Sequence, residues 1–433
     1  MSDQLHHVVI VGGGFAGIAA AQALRKAPVR ITMIDRRNFH LFQPLLYQVA
    51  TGGLSPANIA APLRGILRKQ KNCTVLLGEV QEIDLSTKQV IMDGAPLAYD
   101  SLIVAAGAVN NYFGNNQWES VAPGLKSVED ATRLRAKILH SFEAAERLDN
   151  LSERQKLLTF VVVGGGPTGV ELAGSIAELA HHTMRNDFRN IDPTTATVYL
   201  VEAGPRVLSM FPEKLSGKAA KALHRIGVQV MTSAKVLDIQ TDHVKLEHNQ
   251  QHLVIPCNTV AWGAGVIGSP LGKILTTATG GSLARGGRVP VNPDLTLPNH
   301  SEVFVIGDLA AVNWKDTVVP GVAPAAIQMG KYAGWKIATR LAGKQDDRHF
   351  SYWDKGSMAT IGRNAAVADA GFIYMSGRLA WLAWLFIHIL YLIQFSNRVL
   401  VMWQWFWNYF TRNRSARLIT GEIGNLPPKT TTG

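Results

Sequence analysis

Two copies of one α/β dinucleotide-binding unit, with an apolar helical tail behind them, is the fold class the sequence predicts. Three observations predict it. An apolar run, Val8-Val9-Ile10-Val11, ends in Gly12-Gly13-Gly14-Phe15-Ala16-Gly17 and continues into Ile18-Ala19-Ala20-Ala21. The same pattern returns at Phe160-Val161-Val162-Val163, Gly164-Gly165-Gly166-Pro167-Thr168-Gly169 and Val170-Glu171-Leu172-Ala173. The third observation is a tail, 370–421, that holds no Asp or Glu and is rich in tryptophan.

Strand, tight glycine turn and helix form the Rossmann-like geometry that binds a dinucleotide. Gly12 permits the turn, Gly14 admits a pyrophosphate close to the backbone, and Gly17 lets helix and strand pack. The helix N-terminus offers free N–H groups and partial positive charge to the phosphates. A second strand over Arg30–Ile34 ends in Asp35, placed to accept from ribose hydroxyls. The stretch from Arg36 to Pro56 is aromatic, rich in Gly and Pro, and too irregular for a plain helix. No cysteine precedes Cys73, which argues against dithiol chemistry, and Cys73 opens a strand as a core thiol. Tyr99–Ala108 is a strand running into a small-residue turn, and Leu134–Leu148 an amphipathic, charged surface helix.

In the second copy, the strand Thr197–Val201 ends in Glu202, with an inserted loop over Asn186–Thr195 ahead of it. An acid there repels a 2′-phosphate, which favours NADH over NADPH. Glu171, assigned to the first turn of the second helix, has two readings: a carboxylate that stabilises the helix N-terminus, or one placed where a nicotinamide meets its partner ring. Asn258–Gly265 is a strand-to-glycine turn suited to closing over a nicotinamide. Val303–Asp308 is a strand ending in Gly-Asp, whose acid suits the ribityl chain of a flavin. A helix over Ala325–Leu341 opens with Ala325-Ala326-Ile327-Gln328. Gln328 is either a surface polar residue or an amide aimed at a flavin or second substrate.

The tail carries an apolar run from Leu379 to Phe395, a break at Ser396-Asn397-Arg398, and a second run from Val399 to Phe410. Spanning hydrocarbon takes roughly 20 apolar residues, so the first run is a little short and the second much too short. Tryptophans with flanking arginines suit the headgroup boundary. The expectation is two helices lying in one leaflet, against a short spanning helix or a buried dimer interface. His388 is expected as a packed interfacial side chain.

Composition narrows the partners. The net charge is +11 and the pI 9.6, with a mean hydropathy of +0.07. A basic balance fits nucleic acid, acidic lipid or an acidic protein; no helix-turn-helix or zinc-finger spacing supports nucleic acid. Two distant cysteines and no H-E-x-x-H indicate neither a disulfide framework nor a metal site. The polar N-terminus leads to an expectation of no signal peptide and a reducing, cytoplasmic setting.

Taken together, Phe42-Gln43-Pro44-Leu45-Leu46-Tyr47-Gln48-Val49-Ala50-Thr51-Gly52, the turn from Gly107 to Gly114, Gly164–Gly174, Gly307-Asp308, Ala323–Gln328 and the tryptophan-rich tail resemble the type II NADH dehydrogenases, single-subunit and non-proton-pumping NADH:quinone oxidoreductases. The resemblance implies non-covalent FAD held by Gly12, Gly14, Phe15, Ala16, Gly17, Asp35, Arg36, Val80, Ala106, Gly107, Gly307, Asp308 and Ala325. It implies NADH held by Gly164, Gly166, Pro167, Thr168, Gly169, Glu171, Glu202 and Gly265. Glu171 and Gln328 are implied as catalytic, with Gln328, Ile327, Gln48 and Gly52 around the quinone. Trp381, Trp384, Trp403, Trp405, Trp407, Arg412 and Arg414 are expected at an anionic lipid surface. A monotopic homodimer on the cytoplasmic face of the inner membrane is implied, with residues 1–115 and 285–345 binding FAD, 155–275 binding NADH and 350–433 anchoring. Ala323-Pro324 departs from the Ala-Gln of many members, and no calcium loop is present. A sulfide:quinone oxidoreductase or another NAD(P)H flavin reductase is the alternative; the first needs redox cysteines that Cys73 and Cys257 do not supply. A soluble ferredoxin-type reductase has no use for the tail, and a membrane-bound NADH-sensing protein differs by lacking turnover.

Overall fold

A computed structural model of the chain describes residues 5–315, 317–371 and 373–420. The chain forms two compact units. The first comprises Met1–Leu41, Ala60–Val109 and Val266–Lys355; the second comprises Phe42–Ile59, Asn110–Gly265 and Gly356–Gly433.

The first unit is built on a six-stranded sheet in the order Thr296–Leu297, His300–Val305, Ser101–Val104, His6–Val11, Val29–Asp35, Cys73–Leu77. All neighbours run parallel except the first pair. Val8, Val9 and Ile10 are wholly buried, because a parallel sheet is covered on both faces and its strands read as unbroken apolar runs. The helix Phe15–Ala23 lies against the helix Ala323–Leu341. Small residues set that distance: a Cβ on Gly330 would lie 2.1 Å from the Ala16 carbonyl oxygen, and one on Gly334 2.8 Å from that of Ala20. The contacts advance together along both chains, so the helices are parallel and their N-termini share one end. The second of these helices begins at Ala323, two residues before the expected start.

The second unit repeats the plan with a four-stranded parallel sheet, Val228–Met231, Thr197–Val201, Thr159–Val163, Thr259–Trp262. The helix expected over Leu134–Leu148 spans Val128–Glu146. Its start is set by a capping box between Ser127 and Asp130, and it is no mere surface helix, because Leu134, Ile138 and Phe142 are buried. The inserted loop is held by Glu146, whose carboxylate accepts from the N–H groups of Arg189, Asn190 and Ile191.

In the tail, a three-stranded antiparallel sheet of Ser357–Thr360, Ala366–Asp369 and Tyr374–Gly377 leads into helices Arg378–Tyr391 and Phe395–Thr411. The break falls at Leu392-Ile393-Gln394, with Gln394 at φ +73°, and not at Ser396–Arg398. Those three residues lie in the first turn of the second helix, where Ser396 and Asn397 are tolerated and Arg398 is a good helix former. No described helix is long and apolar enough to cross a membrane. Cys73, expected in the core, is half-buried, whereas Cys257 is fully buried.

Candidate functional site

The two glycine turns have the same geometry. Gly12 sits at φ +107° and Gly164 at φ +106°, a conformation that side chains rarely adopt. A Cβ on Gly17 would lie 1.9 Å from the Gly12 carbonyl oxygen; one on Gly169 would lie 1.8 Å from that of Gly164. Gly14 and Gly166, at the two helix N-caps, face open space, with nothing within 4 Å of a built Cβ. The acids also match. Asp35 Oδ2 accepts from the Gly13 N–H at 2.6 Å, and Glu202 Oε2 accepts from the Gly165 N–H at 2.5 Å. Each carboxylate braces its turn and keeps lone pairs for ribose hydroxyls.

Around the first turn, Gly307 (φ +74°) brings its α-carbon near Ala16 and Ala326: a built Cβ would lie 3.4 and 3.8 Å from their β-carbons. The N-terminus of the Ala323–Leu341 helix has no side-chain cap, so its leading N–H groups, including that of buried Ala325, are donors for a ligand. Two helix N-termini and the open cradle at Gly14 fit an extended dinucleotide, with pyrophosphate at Gly14, ribose at Asp35 and its other end toward Gly307, Asp308 and Ala325. Gly107 (φ +67°) lies in the turn after the strand Ser101–Val104 and its carbonyl accepts from the Ser269 N–H. Val80 is buried, and Arg36 is an exposed partner of Glu79 at 4.0 Å.

His40 escaped the sequence reading. Its ring stands edge-on to Phe15 at 4.7 Å, and Nδ1 lies 3.2 Å from the Gly13 carbonyl oxygen. Burial holds the imidazole down at about 4, so it is neutral and donates from Nδ1. Nε2 is then a buried acceptor without a protein partner among the described residues, on a ring that packs against the first glycine turn. No sequence spacing marks a lone histidine of this kind.

In the second unit, Pro167 opens the helix Pro167–Glu178, and Thr168 is exposed beside it. Gly265 (φ +109°) accepts from the Asn111 N–H at 3.2 Å, which ties down the turn expected over the nicotinamide. Glu171 lies in the second turn of its helix, not the first, and is almost fully buried. Oε1 accepts from the Thr360 N–H at 3.3 Å. Burial pushes the carboxyl up to about 8. Burial therefore favours its neutral form, and its place in the second turn sets it away from the leading N–H groups that the helix-N-terminus reading invokes.

Gln328 is engaged by the backbone of its own unit: Oε1 accepts from Trp353 N–H at 2.9 Å, and Nε2 donates to the Pro324 and Trp353 carbonyls. Ile327 is half-buried beside it. Gln48 and Gly52 belong to the second unit. The Gln48 amide lies between Tyr47 and Trp405, and the Gly52 carbonyl accepts from the Ala416 N–H.

The tail divides its tryptophans. Trp403 and Trp407 are 62% and 54% exposed, alongside Leu379, Leu382, Phe386, Leu390, Phe406 and Phe410. Trp384 faces inward instead, stacked on His388 at 4.1 Å and 5.5 Å from Trp405. Trp381 rests on Tyr409. Helical period explains the split, since positions three or four apart share a face. His388 is packed, as expected. Arg412 is exposed, but Arg414, expected at headgroups, is mostly covered: it pairs with Glu178 at 3.2 Å and donates to the Thr51 and Ser175 carbonyls.

Similarity to known proteins follows this geometry. The pyridine nucleotide-disulphide oxidoreductase family matches residues 6–330, and the NDH2 C-terminal domain matches residues 354–413. The type II NADH:quinone oxidoreductase Ndh of Mycobacterium tuberculosis is 46% identical over 426 residues, covering 96% of this chain and 91% of the relative. The chain belongs to the type II NADH:quinone oxidoreductase family. NdhA of the same organism is also 46% identical, over 96% of this chain and 90% of its own. The structure of NDH2 from Plasmodium falciparum in complex with NADH shares the fold at a TM-score of 0.84 and 20% identity, over 96% of this chain and 100% of that one. Within this family the alternative of sulfide chemistry loses its footing. Burial pushes the Cys73 and Cys257 thiols up to about 11 and 12, far from the reactive thiolate such chemistry needs.

Proposed function

We propose that this chain oxidises NADH and reduces a membrane quinone through FAD, without pumping protons. The observation that carries the reading is the duplicated glycine turn, in which two dinucleotide cradles share one clasp geometry. FAD belongs on the first turn, beside Asp35, Asp308 and Ala325. NADH belongs on the second, beside Glu202, whose negative charge disfavours a 2′-phosphate. When bound, FAD supplies the two-electron carrier between nicotinamide and quinone. The chain's own residues orient and protonate. Glu171, neutral at pH 7, holds the proton that quinone reduction requires. Gln328 and Ile327 are assigned to the quinone; the Gln328 amide must exchange a Trp353 bond to reach it.

The exposed apolar faces of the two tail helices, with Trp403 and Trp407 among them, suit burial in one leaflet. Membrane attachment is monotopic in this reading, with anionic lipid as the partner, the cytoplasmic face of the inner membrane as the location and a homodimer as the working form. Light scattering of the detergent-purified protein tests the last point.

Anaerobic addition of NADH to the purified protein, followed by a short-chain quinone, tests the reading. Flavin bands are expected to bleach and then return. A folded sample without flavin, or a flavin that no quinone reoxidises, would sink it.

A further inference from the structure

One aromatic side chain of the second unit stands in the open, and the cofactor sites described above make no use of it. Phe113 is 63% exposed, while its neighbour Tyr112 and the nearby Trp262 are buried. Its backbone sits at φ +51°, a left-handed conformation visited mainly by glycine and by asparagine or aspartate. The ring therefore gains little from burial and its backbone is strained. Strain of this kind collects at binding sites.

The turn that presents the ring is held firmly. The Asn111 N–H donates to the Gly265 carbonyl at 3.2 Å. The Asn111 carbonyl accepts from Trp262 Nε1 at 2.9 Å, and its Oδ1 accepts from the Phe113 N–H at 2.9 Å. Tyr112 joins the core, where its hydroxyl donates to the Ala122 carbonyl. The Phe113 ring lies on Gly265: a Cβ built there would be 2.9 Å from its Cζ. Glycine is thus required at 265 by the ring as well as by its φ of +109°. An aromatic side chain fixed in this way loses little freedom when a ligand lies against it.

The order of the sheet says which ligand. The strand Thr159–Val163, which leads into the glycine turn at Gly164, has Thr197–Val201 on one side and Thr259–Trp262 on the other. Glu202 follows the first of these neighbours, and Gly263-Ala264-Gly265 follows the second. The two turns touch, since a Cβ on Gly164 would lie 2.7 Å from the Ala264 α-carbon. With the pyrophosphate at Gly166 and the adenosine ribose at Glu202, the other half of the cofactor runs to the opposite side of the central strand. Ala264, Gly265 and the Phe113 ring lie on that side.

We infer that Phe113 is a binding residue for the nicotinamide ring of NADH, its exposed face forming a wall of the site beside Gly265. This rests on the reading that NADH occupies the second glycine turn.

The test is calorimetric titration of the oxidised holoprotein with NAD+ and with ADP-ribose, which keeps the adenosine and pyrophosphate but has no nicotinamide. Glycine fits a left-handed turn, so Phe113→Gly removes the ring without adding strain. It is expected to weaken NAD+ about tenfold and to leave ADP-ribose unchanged. Phe113→Tyr keeps the ring and should bind both as the unsubstituted chain does. Unchanged NAD+ binding in Phe113→Gly overturns the proposal. So does an equal loss for both ligands, because the turn is then disturbed and no nicotinamide contact is missing. Should Phe113→Gly lose flavin, Phe113→Leu removes the aromatic ring while keeping a side chain on Gly265, and is read by the same criteria. The underlying reading fails separately: it falls if Gly166→Ala binds ADP-ribose as tightly as the unsubstituted chain, whatever the Phe113 variants show.

Discussion

Glu171 shows how much a single residue's behaviour depends on where it is buried. An unfolded glutamate titrates near 4.3, while burial places this one at about 8 in the folded chain. The folded state therefore holds a proton that the unfolded state releases between those values. Stability contributed by the neutral acid is complete below about 4.3 and is lost as pH rises to about 8. Glu171→Gln is expected to flatten the fall in melting temperature across that window, measured by scanning calorimetry at several pH values. The same variant should leave NADH bleaching intact and slow quinone reoxidation by about 100-fold, the low end of what a positioned proton donor contributes. Arg414 is the opposite case, a charge kept charged by its partner. Arg414→Ala strands Glu178 in a site where both side chains are mostly covered. A loss of about 3 to 5 kcal/mol is expected in denaturant unfolding, with Glu178→Ala giving much less further loss in the double variant.

At the scale of the element, the glycine turns separate folding from binding. Gly169→Ala puts a methyl group against the Gly164 carbonyl, so the strand-turn-helix unit should misfold and expression fall. Gly166→Ala has open space around it and should leave the fold and the flavin unchanged. Its methyl then occupies the approach to the NADH pyrophosphate, and KM for NADH is expected to rise at least about tenfold, a cost of about 1.4 kcal/mol; an unchanged KM would remove the pyrophosphate from that cap. These turns were legible in the sequence because the closest constraint on Gly17 and Gly169 is the carbonyl of a glycine five residues earlier, and the acid that braces each turn ends the next strand of the same unit. The surroundings of Glu171 were not, because the Thr360 N–H it accepts lies 189 residues along the chain. Nor was the pairing of Arg414 with Glu178, 236 residues apart, or the bond from Trp405 to Gln48. The tail was legible in composition but not in phase. Placing the break at Ser396 rather than Gln394 misplaces the start of the second helix, and phase decides which tryptophans turn inward.

For the molecule as a whole, one basic and unevenly apolar surface combines two attractions that salt can separate. In the proposed membrane reading, the net charge of +11 would draw the protein to anionic lipid through a field screened over about 10 Å at 0.1 M salt. The exposed tail side chains act by burial, which such salt hardly weakens. Trp403→Ser with Trp407→Ser removes two exposed anchors, each worth about 1.5 to 3 kcal/mol when buried. Sedimentation with anionic vesicles should show binding weakened by about 100-fold or more at every salt concentration. Raising salt on the unsubstituted chain should weaken binding to anionic vesicles and leave neutral ones almost unaffected. Reduction of a long-chain quinone carried in the vesicles should fall in step with binding, because that substrate is reached only from the leaflet. A short-chain quinone in solution needs no leaflet, and its reduction should hold. If the double tryptophan variant bound vesicles as tightly as the unsubstituted chain, the apolar face of the tail would have to be covered by protein instead, and the second copy of the chain would be its partner.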